Sequence, residues 1–327
     1  MSVIPENEFS IERLRSKTIK DMSKISMFGV SASGKTCFLY AMAQVLRDGV
    51  RYGDNLVQII SSRVRQQIEL NDGYIKLARR QWPQTSDKTE RFDFEVRMQC
   101  NGYFNVVIPS LEIQDYRGGI LQDMSETGKE LAELLDSFRG SSAIIFIIDG
   151  KTLIDAMDPD DRDVSHRGNT DVLEQFSART QIEFVENIFL EYKRVEDDIP
   201  PILIAISKGD IFASEYEKKN GIRMIKEKLP SIFAIGSQLT AGITIMSLGE
   251  DLGTDANGGL TGTLKLNQDY NIHIPVIFGI YADLCYQYEE TTDSAEKKGI
   301  SVLLTLLRRI FADRVQLFIS GKKAREV

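Results

Sequence analysis

Gly29-Val30-Ser31-Ala32-Ser33-Gly34-Lys35-Thr36, followed by Cys37, is the stretch that decides the fold. It has the form G-x-x-x-x-G-K-T. The two glycines let the backbone fold back, so that the N–H groups from Ser31 through Cys37 turn inward onto phosphate oxygens. Lys35 has the length to reach the β- and γ-phosphates of a nucleoside triphosphate, and Thr36 can place its hydroxyl on Mg²⁺. A helix that starts here adds the positive end of its dipole. The flanks agree with this reading. Residues 25–30 are a short apolar run, as a buried strand would be, and residues 37–46 are apolar and free of Gly and Pro, as suits a helix under the loop.

The rest of the chain has the bulk to bury such a site. Its 327 residues fit one large α/β domain or two small ones, and its 42% hydrophobic and 27% charged content is that of an ordinary globular protein. A formal net charge of −8 argues against a dedicated nucleic-acid surface. Cys37, Cys100 and Cys285 are scattered and odd in number, which suits a reducing compartment and shows no metal spacing. With only His166 and His273, a histidine-rich metal site is excluded. No apolar run approaches the roughly 20 residues of a membrane helix, and residues 1–24 begin polar, so the expectation is a cytoplasmic protein with no membrane contact.

Residues 1–24 read as a polar arm. Strand 25–29 and helix 35–47 follow, and a further helix covers 64–80 within the stretch 50–81, ending before Pro83. The period then changes to two. Phe92, Phe94, Val96 and Met98 alternate with charged residues, Asn101-Gly102 marks a hairpin turn, and 104–108 and 111–114 return as strands on either side of Pro109. A helix is expected over 128–138 and a doubly covered strand over 143–148. The acidic stretch 151–171 reads as a loop insert. Helix 172–194, strand 201–206, helix 212–229 and strand 242–246 come next, and the Gly-, Asp- and Thr-rich residues 249–263 read as a long loop. Residues 275–288 and 299–311 read as helices, the latter within a packed extension over 291–327. The pattern gives a doubly wound, mostly parallel α/β sheet with one antiparallel hairpin edge, its main domain spanning 25–290. Ligands of such sheets bind at the carboxyl ends of the strands.

Further chemistry sits at those strand ends. Asp115-Tyr116-Arg117-Gly118 follows strand 111–114. Its aspartate can hold Mg²⁺ through water, and the Gly118 N–H can meet a γ-phosphate. Ser207-Lys208-Gly209-Asp210 follows strand 201–206. A carboxylate at Asp210 can accept from both guanine N1–H and the 2-amino group, a donor pair that adenine lacks. Lys208 can lay its stem over a base, and Ser207 can hydrogen-bond to the phosphate loop. Read alone, Lys-Gly-Asp is only a turn. Ser247-Leu248-Gly249, after strand 242–246, fits a turn that reads a base with backbone N–H. A threonine closing over the γ-phosphate and Mg²⁺ would be Thr85 or Thr89. Thr85 is favoured because it begins a polar loop before the hairpin strand.

With these motifs in order over residues 25–250, the chain resembles a P-loop GTPase of the Ras-like, translation-factor-related class. It is most similar to the double-GTPase-type domains of bacterial conflict, defence and phage systems. The resemblance implies GTP/GDP and Mg²⁺ as ligands, a switch function, and a protein partner or second copy at the switch loops. Ser207 departs from the family's usual Asn. Gly119 stands where many relatives carry a water-orienting glutamine, so slow hydrolysis is implied unless Gln114, Gln122 or a partner's arginine substitutes. Arg117 could stabilise charge in cis. An ATPase, a nucleotide kinase and a scaffold that binds nucleotide without turnover remain open.

Overall fold

The computed structural model describes residues 23–30, 33–83, 89–100, 104–116, 134–157, 182–195, 199–235, 237, 239–256, 259–311, 313–319 and 322–323. β1 (Ser23–Phe28) lies between β5 (Phe104–Asp115) and β6 (Ala143–Asp149), parallel to both. β7 (Ile202–Ser207) and β8 (Thr240–Ile245) continue the parallel set beyond β6. On the β5 side the sheet turns antiparallel through β4 (Glu90–Cys100), β3 (Asn55–Ser61) and β2 (Val50–Tyr52). On the β8 side β11 (Gln316–Ile319) and β12 (Lys322–Lys323) close the order, ten strands among the described residues, β12-β11-β8-β7-β6-β1-β5-β4-β3-β2. The strand order reverses at β1, the position where open α/β sheets form their ligand crevice.

Alternation along β1 decides which residue faces which layer. Ile25 and Met27 face a core built with α1 (Lys35–Asp48), α7 (Ile274–Glu290) and α8 (Ser294–Phe311). Phe28 faces the opposite core, made with α4 (Ile182–Val195), α5 (Glu215–Lys228) and α6 (Pro230–Phe233). In that second core Phe28 stacks on Phe146 at 5.0 Å, and Phe138 stacks on Phe189 at 6.1 Å. α2 (Val64–Ala78) packs on α1 where Gly73 meets Tyr40. A Cβ at Gly73 would lie 2.4 Å from that ring.

Several expectations change. The stretch before α2 holds the β2–β3 pair, which had not been anticipated. β5 runs unbroken through Pro109, because the register with β4 shifts between Phe94 and Val96, and such a bulge accommodates the missing proline N–H. Residues 134–138 are helical, which agrees with the end of the expected helix 128–138. Gly150–Asp155 is a helix, α3, inside the stretch read as loop, with Asp149 capping the Lys151 N–H; residues 158–171 lie outside the described residues. The Gly/Asp/Thr-rich stretch read as a loop is a hairpin, β9 (Gly249–Thr254) and β10 (Leu260–Leu264). The last segment adds two strands, β11 and β12, to the main sheet as well as the helix α8. Among the described residues no helix is long and apolar enough to cross a membrane.

The stacked rings predict a stability test. Phe189→Ala, at a fully buried position, should cost about 3–5 kcal/mol in urea unfolding. Leu190→Ala, at a neighbour that is 41% exposed, should change it by less than about 0.5 kcal/mol.

Candidate functional site

The loop after β1 is shaped by two close approaches. A Cβ at Gly29 would lie 2.4 Å from the Ile147 carbonyl oxygen of β6, so only glycine fits. Gly34 takes φ 93°, a left-handed conformation that starts α1 directly beneath the loop. Ser31 and Ala32 lie outside the described residues. Lys35 is buried and its ammonium donates back to the carbonyls of Gly29 at 2.8 Å and Val30 at 3.0 Å. Thr36 and Cys37 follow in the first turn of α1, both half-buried. Burial pushes the Cys37 thiol up to about 12, which makes it a neutral wall residue.

Asp115 stands opposite this loop at the end of β5, registered with Met27 of β1. It is 3% exposed, and its Oδ1 has no hydrogen-bond partner among the described residues. Burial raises its carboxyl to about 7, the charge of Lys35 pulls it back down, and Glu90 adds a push upward. The same burial lowers Lys35, against the opposing field of Asp115. A buried carboxylate oxygen of this kind, electrostatically coupled to Lys35, is a donor that suits a hard divalent cation completed by further oxygens. Among the described residues no cluster of three His, Cys, Asp or Glu side chains forms a metal cage by itself.

Three strand ends beyond β1 carry the remaining groups. Ser207 Oγ donates to the Ser33 carbonyl at 2.7 Å, so the end of β7 is tied to the loop between β1 and α1. Lys208 sits at φ 53°, and its ammonium pairs with Asp149 at the end of β6 at 2.7 Å. The sequence reading missed that role for Asp149. An aspartate closing an apolar strand one residue before a tight Gly150 was its only signal, and Gly150 is tight because a Cβ there would meet the Ser207 carbonyl at 2.3 Å. Asp210 accepts from Ser247 Oγ at 2.7 Å and from the Leu252 N–H at 3.0 Å. Leu248 is half-buried and its side chain packs on the core. A groove of about 890 Å³ opens beside Gly209, Asp210 and Ser247 towards Lys219, Tyr270 and Arg314, and it does not reach Lys35 or Asp115.

Other candidates are not brought in. Thr85, Arg117, Gly118, Gly119 and Gln122 lie outside the described residues. Thr89 is exposed one residue before β4. Gln114 is buried and neighbours Asp115 along β5, so strand alternation turns it to the opposite face of the sheet from Asp115. It is not placed to orient a water above the loop.

No protein-family model matches the sequence, and neither does any curated protein sequence. Solved structures overlap it loosely. One is a signal recognition particle receptor SRb-GTP/SRX complex from Chaetomium thermophilum, with TM-score 0.35 and 16% identity over 72% of this chain and 93% of the other. Another is an ADP-ribosylation-factor-like GTP-binding protein, the small COPII coat GTPase SAR1 from Encephalitozoon cuniculi, in complex with GDP. It has TM-score 0.30 and 11% identity over 72% and 75%. With overlap this loose, function has to be read from the residues of the site themselves.

The Asp115 environment predicts a pH dependence. A carboxyl that ionises near 7 in the folded protein and near 4 in the unfolded chain makes the fold lose stability as the pH rises through that interval. Asp115→Asn removes this cost. In nucleotide-free protein the unfolding free energy of the variant relative to wild type should therefore climb between pH 4.5 and pH 8, by an amount on the order of a few kcal/mol. A difference that stays flat with pH would contradict it.

Proposed function

We propose that this chain binds a guanine nucleoside triphosphate with Mg²⁺ and acts as a slowly hydrolysing switch. The single observation that carries the reading is the tie from Ser207 Oγ to the Ser33 carbonyl. It joins the loop suited to phosphates to the loop suited to a base, three residues before Asp210. In this reading the backbone from Gly29 to Cys37, with Ser31 to Gly34 at its centre, cradles the phosphates, and Lys35 leaves its loop carbonyls for phosphate oxygens. Thr36 and Asp115 hold Mg²⁺, with Thr85 the candidate for a further ligand. Bound Mg²⁺ supplies charge neutralisation at the phosphates. Gly118 offers its N–H to the γ-phosphate and Arg117 a nearby positive charge. Asp210, Lys208, Ser247 and the backbone at Leu248 face the base.

Slow turnover is part of the proposal. Phosphoryl transfer depends on positioning and charge, Gly119 brings no side chain to orient a water, and Gln114 faces away. A protein partner or a second copy at the switch loops would supply what is missing. The nucleotide-binding unit is taken as residues 25–290, with 1–24 as an arm and 291–327 as an extension packed on it. A role in bacterial defence or phage biology belongs to the same proposal and rests on the sequence resemblance alone.

One observation favours a second reading. Both oxygens of Asp210 already have donors, as they would in a purely structural turn. An ATP-binding protein, with Asp115 as an ordinary magnesium aspartate, would then fit. Calorimetry in Mg²⁺ separates the two. GTP should bind at least about tenfold more tightly than ATP, and Asp210→Ala should remove most of that preference. Tighter ATP binding that Asp210→Ala leaves unchanged rules out guanine. Lys35→Ala should abolish binding of either triphosphate together with the slow release of phosphate.

A further inference from the structure

The β9–β10 hairpin carries the inference furthest. Its register breaks once. Thr254 and Gly253 face Leu260 and Thr261, but Glu250 and Gly249 face Thr263 and Leu264, so Asp251 and Leu252 together oppose Gly262. That is a β-bulge, a device that re-aims a residue out of the ladder. Asp251 takes φ 54° and Gly262 φ 79°, and a Cβ at Gly262 would lie 2.3 Å from the Asp251 carbonyl oxygen. The amide re-aimed by the bulge is that of Leu252, and it donates to Asp210 Oδ2 at 3.0 Å.

The hairpin is held on both sides of that amide. At its base, Glu250 pairs with Lys265 at 2.6 Å and accepts from the Tyr270 hydroxyl at 2.6 Å. Two residues beyond Leu252, the Trp82 indole N–H donates to Thr254 Oγ1 at 3.0 Å. The Leu260 N–H donates to the Arg80 carbonyl at 2.9 Å, Gln81 bridges Gly259, and the Leu260 side chain is buried. The hairpin is thus latched to the chain leaving α2, while its bulge touches the carboxylate after β7.

We propose that this hairpin is a base-positioning arm: its bulge directs the Leu252 N–H onto Asp210 and, with Ser247, fixes the plane of that carboxylate for a guanine base, while Trp82 and Thr254 latch the arm in place. An aspartate side chain has two rotatable bonds, and donors from two different elements remove both freedoms. An ionised carboxylate accepts in about four directions. Two are taken by Ser247 and Leu252, and two remain for the paired N–H donors of guanine. Leu252 acts through Asp210 and is a positioning residue. The arm rests on the guanine reading above, and its test is kept separable from it.

The test uses Trp82→Phe, which keeps a ring and loses the N–H, and the milder Thr254→Val, which loses only the hydroxyl. Release of GDP and of inosine diphosphate, which lacks the 2-amino group, is compared in the full chain, and exchange of the Leu252 amide is followed by hydrogen–deuterium exchange. Wild type should release inosine diphosphate about tenfold faster than GDP, the factor that one hydrogen bond commands. Both variants should speed Leu252 exchange and GDP release severalfold while moving inosine diphosphate release little, so that the ratio shrinks. Unchanged Leu252 exchange, or equal acceleration of both nucleotides, overturns the arm and leaves a preference of wild type for GDP over ADP intact. Loss of that preference itself means that the guanine reading has failed, and the arm's role toward the base falls with it.

Discussion

The position of β1 governs everything at the ligand end of this protein. It is a parallel strand, buried on both faces, pressed between β5 and β6. Parallel strands send all their carboxyl ends to one edge, so Gly29, Asp115, Asp149, Ser207 and Met246 emerge there together. The contact with β6 is so close at Gly29 that no side chain fits against the Ile147 carbonyl. The backbone must leave β1 there, turn back, and enter α1 through the left-handed Gly34. In the nucleotide reading, a phosphate cradle is what remains when a buried strand has to reverse with no room for side chains.

Burial also sets the electrostatics. Lys35 and Asp115 are both buried, and each opposes the other's loss of charge without cancelling the cost of burial. An unpaired carboxylate oxygen in such surroundings is expensive unless a ligand completes it. Further along the edge the charges are paired, Lys208 with Asp149, and Asp210 with donors from Ser247 and Leu252. The Lys35–Asp115 end therefore stores unsatisfied polarity, and the Lys208–Asp210 end is organised in advance. In the nucleotide reading, binding energy is concentrated where charge is densest, and selectivity resides in groups that do not have to move.

Short-range chemistry was the legible part. The strand–glycine loop–helix unit could be read because each piece depends on its own residues: apolar strand, Gly at the reversals, Lys and Thr at the helix start. The strand ends holding Asp115, Ser207 and Ser247 were legible for the same reason, each closing an apolar run. The β9–β10 hairpin was not. Glycine and aspartate are poor strand formers, and this segment is a strand pair because partners in distant sequence, Arg80, Gln81, Trp82 and Asp210, take up its polar groups. Pro109 was read as a break because the bulge that absorbs it is a property of two strands, which one strand's sequence does not display.

Residue types alone settled the doubly wound α/β class and the strand–glycine loop–helix unit, and nominated the groups proposed to meet a magnesium ion and a base, since these follow from hydrophobic period and local backbone demands. The tertiary structure alone decided which of those groups converge. It tied Ser207 to Ser33, gave Lys208 to Asp149, turned Gln114 away from Asp115, and brought the Leu252 amide to Asp210. Each depends on strand register or on a contact between segments tens of residues apart, and a one-residue slip in register would send the same side chains to the other face.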